Sequence, residues 1–113
     1  MMGVREPKCF TDTTILGATI AQPCDGTERT YFKNLTTNHN KSLVAIFNLS
    51  ECDIVAMIET DDEVIERRLT PELLEDTIQV ENLRRITVRC EGEKGLDCFG
   101  FISIQHTFCI CCP

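Results

Sequence analysis

Cys109, Cys111 and Cys112 crowd the end of the chain, Cys9 stands near its start, and Cys24, Cys52, Cys90 and Cys98 lie between. Cysteine can act as a nucleophile, bind a metal or couple to a second thiol, and each use requires particular neighbours. A nucleophilic thiol needs a general base and a setting that lowers its pKa. The two histidines are poor partners: His39 sits in the polar stretch "TTNHNKS", and His106 sits on a strand-like segment. There is no thioredoxin-type C-x-x-C and no helix opening after a cysteine to lower its pKa, so no catalytic residue is expected. A structural zinc site is built from paired knuckles, and none occurs. His106 precedes Cys109 by three residues, which on a strand places the two on opposite faces. The acidic stretch "ETDDEVIE" lacks the glycine and the alternating carboxylates of a calcium loop. No metal ligand and no cofactor is expected.

Coupling to a second thiol is the chemistry that remains. Cys9 lies in a polar arm, and Cys111 and Cys112 lie at a terminus where no core exists. A bond between the vicinal Cys111 and Cys112 would close a strained ring, so each suits a different partner. Cys24, Cys52 and Cys98 border strand-like runs, and Cys90 ends one. Cys90, and in part Cys52, read as small buried hydrophobes. Cysteines at both ends can join one copy of the chain to the next, so Cys9, Cys109, Cys111 and Cys112 are candidate links.

The elements that must position these residues read as short strands. At 113 residues the chain suits one domain with a two-layer core. The runs are "TTILGATIA", "TYFKNL", "LVAIFNL", "DIVAMIE", "VIERRL", "TIQV", "RRITVRC" and a last strand from Cys98 to Cys109. In the seventh, Ile86, Val88 and Cys90 alternate with Thr87 and Arg89, the period of a half-buried strand. In the last, Ile102, Ile104 and Phe108 share one face. About eight short strands separated by turn residues predict an all-β, jelly-roll-like antiparallel sandwich over residues 13–113. Residues 1–12 are expected to form a flexible connector arm. One helix signal stands apart: in "TPELLED", Thr70 can cap, Pro71 fits the first position, and acidic residues follow.

Composition narrows the partners. The net charge is −7, which phosphate backbones repel, so no nucleic acid is expected. The arginines at 67–68 and at 84, 85 and 89 read as outward strand faces. No run reaches the about 18 apolar residues of a membrane span, and no membrane partner is expected. The opening "MMGVREPKCF" has no apolar export segment.

"EDTIQVENLRRITVRCEGEKGLDCFGFISIQH" resembles the C-terminal half of the endospore appendage (Ena) subunits of spore-forming bacilli. The shared pattern is a strand, a short basic link, an "ITV" strand, a glycine-containing loop and a final strand. "TYFKNL" and "LVAIFNL" fit the strands before it. The resemblance implies a jelly-roll subunit that stacks by edge-strand pairing, with an arm cysteine, Cys9, reaching other subunits. It implies Cys24 as a receiving cysteine. Phe101 falls where the family's last strand carries its receiving cysteine, and Cys98 and Cys109 flank it. The sequence departs from the family in its lone arm cysteine and its "CICC" tail.

Together these features predict a structural protein and no enzyme: a self-assembling subunit of a disulfide-linked fibre or layer on the spore surface. Its intersubunit candidates are Cys9, Cys109, Cys111 and Cys112, with Cys24 and Cys98 as acceptors. The expected partners are other copies of the chain and other spore-surface proteins. The resemblance also implies synthesis in the mother cell and exposure after lysis. The alternatives are a cysteine-rich coat or exosporium layer protein, and a zinc-binding or thiol-redox module built on the terminal cluster.

Overall fold

The computed structural model describes residues 10–36 and 39–110 of the chain. These residues form eight strands: β1 Phe10–Pro23, β2 Asp25–Lys33, β3 Asn40–Asn48, β4 Asp53–Thr60, β5 Val64–Leu69, β6 Glu75–Glu81, β7 Leu83–Glu91 and β8 Asp97–Ile110. One sheet has the order β1-β8-β3-β6 and the other β2-β7-β4-β5, and every pairing is antiparallel. Apart from the β4–β5 hairpin, successive strands cross from sheet to sheet, which makes the sandwich a jelly roll, as the sequence predicts.

The core follows the period of two. Val44 and Ile46 of β3 and Ile102 and Ile104 of β8 face Ile54, Ala56 and Ile58 of β4 and Ile86 and Val88 of β7, all buried. Gly100 sits where β8 lies against β3. A Cβ there would overlap the Phe47 carbonyl oxygen and stand 2.9 Å from Ile54 Cδ1. Asn48 is fully buried and satisfied: its Nδ2 donates to the Cys52 carbonyl at 2.7 Å and to the Leu69 carbonyl at 3.1 Å.

The signal at residues 70–76, too short for more than one or two turns, is a single turn. Thr70 caps it, accepting from the Leu73 N–H at its carbonyl (3.0 Å) and at its Oγ1 (3.2 Å). Glu75 then pairs with Phe47, so β6 claims the rest of the segment. β8 extends to Ile110 and offers partners, so β1 takes in Phe10–Asp12; residues 1–9 of the expected arm lie outside the described residues. One expectation is corrected: Arg67 does not share the outward face of Arg68. It has the parity of the inward Leu69 and Ile65, and its Nη1 reaches Asp76 Oδ2 of the other sheet at 3.7 Å.

Candidate assembly surface

Four cysteines gather at one end of the sandwich. Cys24, at the corner between β1 and β2, is bonded to Cys52, just before β4; their Cα atoms are 6.3 Å apart. Cys90 of β7 is bonded to Cys98 of β8, also at 6.3 Å. The second bond ties one sheet to the other. All four residues are buried. Ser50 sits between the pairs, with its Oγ 3.7 Å from Cys98 Sγ and accepting from the Cys52 N–H at 3.3 Å. Gly92 packs on this cluster: a Cβ there would stand 3.2 Å from Cys52 Sγ.

These bonds revise the reading of four residues. Cys24 and Cys98 were expected as acceptors for another copy, yet each sulfur is bonded within the chain. Cys90 and Cys52 are disulfide partners, not free buried thiols. The sequence signal was their position at strand ends, but the topology that brings them together is not local. Of the other candidates, Cys109 lies on β8 opposite Thr11. Cys9, Cys111 and Cys112 lie outside the described residues.

The sheets end in four edge strands that differ in how open they are. β2 is interrupted by register shifts between Asp25 and Glu28 and between Thr30 and Phe32, irregularities that discourage regular pairing. β5 and β6 are short and carry Glu66, Arg67, Arg68, Glu75, Asp76 and Glu81. β1 is the opposite case. It is 14 residues long, its ladder with β8 is unbroken, and Asp12 is its only charged residue. Its C-terminal part is partly covered, because Arg29 Nη1 donates to the Ala21 carbonyl at 2.9 Å. The stretch before it is a long, regular edge with Asp12 as its one charge, the kind that adds a strand from another chain.

The two outer faces also differ. On the sheet containing β7, Arg68 pairs with Asp53 (2.9 Å) and Glu91 (3.0 Å), and Arg89 pairs with Glu91 (2.7 Å). Hydrogen bonds from Arg89 and Arg68 hold the Glu91 carboxyl below its ordinary pKa. Such exposed pairs add little to stability and keep the face wet. The sheet containing β8 instead exposes Phe99, Phe101, Leu43 and Ile15, with Ile15 75% exposed. Phe47 pairs with Phe101 across the ladder, and the Phe101 ring lies over Gly17. Large apolar side chains left exposed on one outer face suit a contact surface. The alternation that puts Ile102 and Ile104 inside already puts Phe99 and Phe101 outside.

His106 faces inward at the end opposite the disulfides. Its ring centroid is 5.9 Å from that of Phe32 and 5.7 Å from that of Phe108. Ser42 Oγ donates to Asn40 Oδ1 at 3.2 Å, so its contact with His106 Nδ1 at 2.8 Å is one in which the imidazole N–H donates. Ser42 is 1% exposed; the pair is a packed hydrogen bond, with no open nucleophile. Burial, and then the Arg84 guanidinium, hold the His106 pKa below its ordinary value. The unfolded chain therefore binds the extra proton first. This stabilising contribution is full above the ordinary histidine pKa and is lost as pH falls toward the lowered one. Urea unfolding between about pH 7.5 and pH 5.5 should show declining stability, and the decline should be smaller in His106→Gln. Equal slopes in the two proteins would contradict this placement.

Among the described residues, no group of three His, Cys, Asp or Glu side chains is arranged to hold a metal ion. Comparison with solved structures finds this architecture in a subunit of the Bacillus endospore appendages, which are described as disulfide-linked pili. The match covers 96% of this chain and 96% of that chain, with a TM-score of 0.66 and 8% sequence identity. At that identity the likeness is one of fold. No protein-family profile and no curated protein matches the sequence.

Proposed function

We propose that the chain is a non-enzymatic structural subunit. It polymerises into a fibre or layer on the spore surface, by edge-strand pairing reinforced by disulfides between copies. The observation that carries this reading is the end-to-end fold likeness to a subunit of disulfide-linked pili. Three features of the chain support it independently. The β1 edge is long and unprotected. The outer face beside it is apolar. Cys109 belongs to β8, and Cys9, Cys111 and Cys112 stand next to β1 and β8 in the sequence.

Edge pairing supplies direction and register through backbone hydrogen bonds, and burial of the apolar face adds affinity. Disulfides then make dissociation slow, because separation requires breaking a covalent bond. Copies of the chain are the main partners, and other spore-surface proteins are the surfaces on which the assembly ends.

Ile15→Lys tests the edge. A lysine on an open edge strand disfavours strand addition, and Ile15 is exposed, so the fold should be unaffected. The variant should keep its circular dichroism and thermal midpoint while forming few or no assemblies in electron micrographs. Assemblies as abundant as those of the unaltered protein would remove β1 from the contact.

A further inference from the structure

β1 is bonded on one side only, and the ladder fixes which of its backbone groups are free. The Cys24 N–H donates to the Leu96 carbonyl at 3.1 Å, which continues the β1–β8 register. Residues of even number in β1 therefore bond β8, and those of odd number turn their N–H and C=O groups away from it. The Ala21 carbonyl does so where it accepts from Arg29. Between the Asp12 charge and the capped Ala21, the free groups are those of Thr13, Ile15, Gly17 and Thr19. Resting on the assembly reading above, we propose that this stretch pairs with the same stretch of a second copy of the chain. The two strands run antiparallel about a twofold axis at Leu16.

Elimination selects the partner strand. β2 is broken by register shifts, and β5 and β6 are short and charged. The edge on a second copy that is as long and as regular is β1 itself. The bounds of the stretch select the register. Residues 12–20 are centred on Leu16, so pairing about that residue uses all of them. It sets Thr13 against Thr19 and Ile15 against Gly17 as hydrogen-bonded pairs, and all four residues find partners. Sliding the strands toward the start of β1 draws the two Asp12 carboxylates together. Sliding them the other way runs into the Arg29 that covers Ala21.

The side chains agree with this register. Directly opposed residues of a ladder share a face. On the outer face Ile15 comes beside Gly17 of the second copy, over which the Phe101 ring lies. On the other face Leu16, 37% exposed, meets Leu16 of the second copy. Two four-stranded sheets become one continuous sheet, and their outer faces join. A patch that pairs with itself closes at two copies. The pair is then the building block, and growth beyond it falls to the disulfides between copies.

The test uses the full chain carrying Cys9→Ser, Cys109→Ser, Cys111→Ser and Cys112→Ser, so that the two within-chain disulfides hold the only remaining cysteines. Leu16→Cys is added to it, at a site only half buried. Leu16 and its counterpart form a non-hydrogen-bonded pair, with Cα atoms about 4.5 Å apart, inside the roughly 4.4–6.8 Å range of disulfides. Oxidised with glutathione disulfide, this variant should run mainly as a covalent dimer on a non-reducing gel. Thr14→Cys is the control, on the same strand and exposed. The register sets Thr14 against Ala18 of the second copy, about 13 Å from its own counterpart, so this variant should stay monomeric on the gel. A monomer from Leu16→Cys, or equal dimer from both variants, would overturn the twofold pair. Assemblies of the unaltered chain beside a monomeric Leu16→Cys would overturn the pair and leave the assembly reading standing. A dimer from Leu16→Cys alone, with an unaltered chain that never grows beyond two copies, would support the pair and count against polymerisation.

Discussion

Gly100→Ala is expected to cost at least about 3 kcal/mol, at the upper end of what overpacking a core usually costs, and to lower the thermal midpoint by roughly 10 °C or more. The added Cβ would overlap the Phe47 carbonyl oxygen, approach Ile54 Cδ1 to 2.9 Å and meet Ile20 Cδ1 at 3.4 Å. None of these atoms can give way cheaply. The carbonyl belongs to β3, which is held on both sides by β8 and β6. Ile54 and Ile20 are fully buried. Moving β3 outward would break ladder hydrogen bonds along the middle of the sheet. Gly17→Ala is the control, because its new Cβ would meet the Phe101 ring tip at 2.8 Å. That ring is partly exposed and can swing aside, so the loss should be about 1 kcal/mol or less, within the range of exposed sites that can relax. Thermal unfolding followed by circular dichroism measures both. Equal losses at the two glycines would contradict the packing described for β8.

Removing the within-chain disulfides should have a comparable effect. The loop-closure estimate gives about 3–4 kcal/mol for Cys24–Cys52 and about 2–3 kcal/mol for Cys90–Cys98, whose sequence separations are 28 and 8. Paired Cys→Ala replacements test each bond. The combined loss should depart from the sum of the two, because Ser50 contacts both pairs and neighbouring sites couple. Urea unfolding of the two pair variants and the combined variant measures this. A chain of this size has core enough to fold without staples, so a folded but weakened domain is expected. No loss at either pair would contradict the within-chain connectivity.

The sequence carried the strands well where alternation was local. Ile86, Val88 and Cys90 in β7, and Ile102 and Ile104 in β8, announced both their conformation and their buried face. Strand lengths were harder to read. Thr11 and Asp12 look like arm residues until β8 is known to run beside them as far as Ile110. The first half of β2, "DGTER", shows no alternation because its ladder is irregular. "TPELLED" misled for a related reason: a capping threonine followed by proline serves one turn as well as a helix, and the pairing of Glu75 with Phe47 decides between them.

The candidate site was legible only in part. Residue type and terminal position singled out Cys9, Cys109, Cys111 and Cys112 without any fold. Cys24 and Cys98 were read as acceptors through the family resemblance, but a partner 28 or 8 residues away is fixed by where sheets and loops meet. The outward placement of Phe99 and Phe101 follows from the same alternation that defines the core, and among the described residues no third layer covers them.

The most direct test of the assembly reading is negative-stain electron microscopy of the purified full chain under oxidising conditions, with a non-reducing denaturing gel of the same sample before and after reductant. The account predicts fibres or sheets, together with a ladder of multimers that collapses to the 12.8 kDa chain on reduction. A single 12.8 kDa species in both lanes, with no ordered assemblies on the grid, would contradict it.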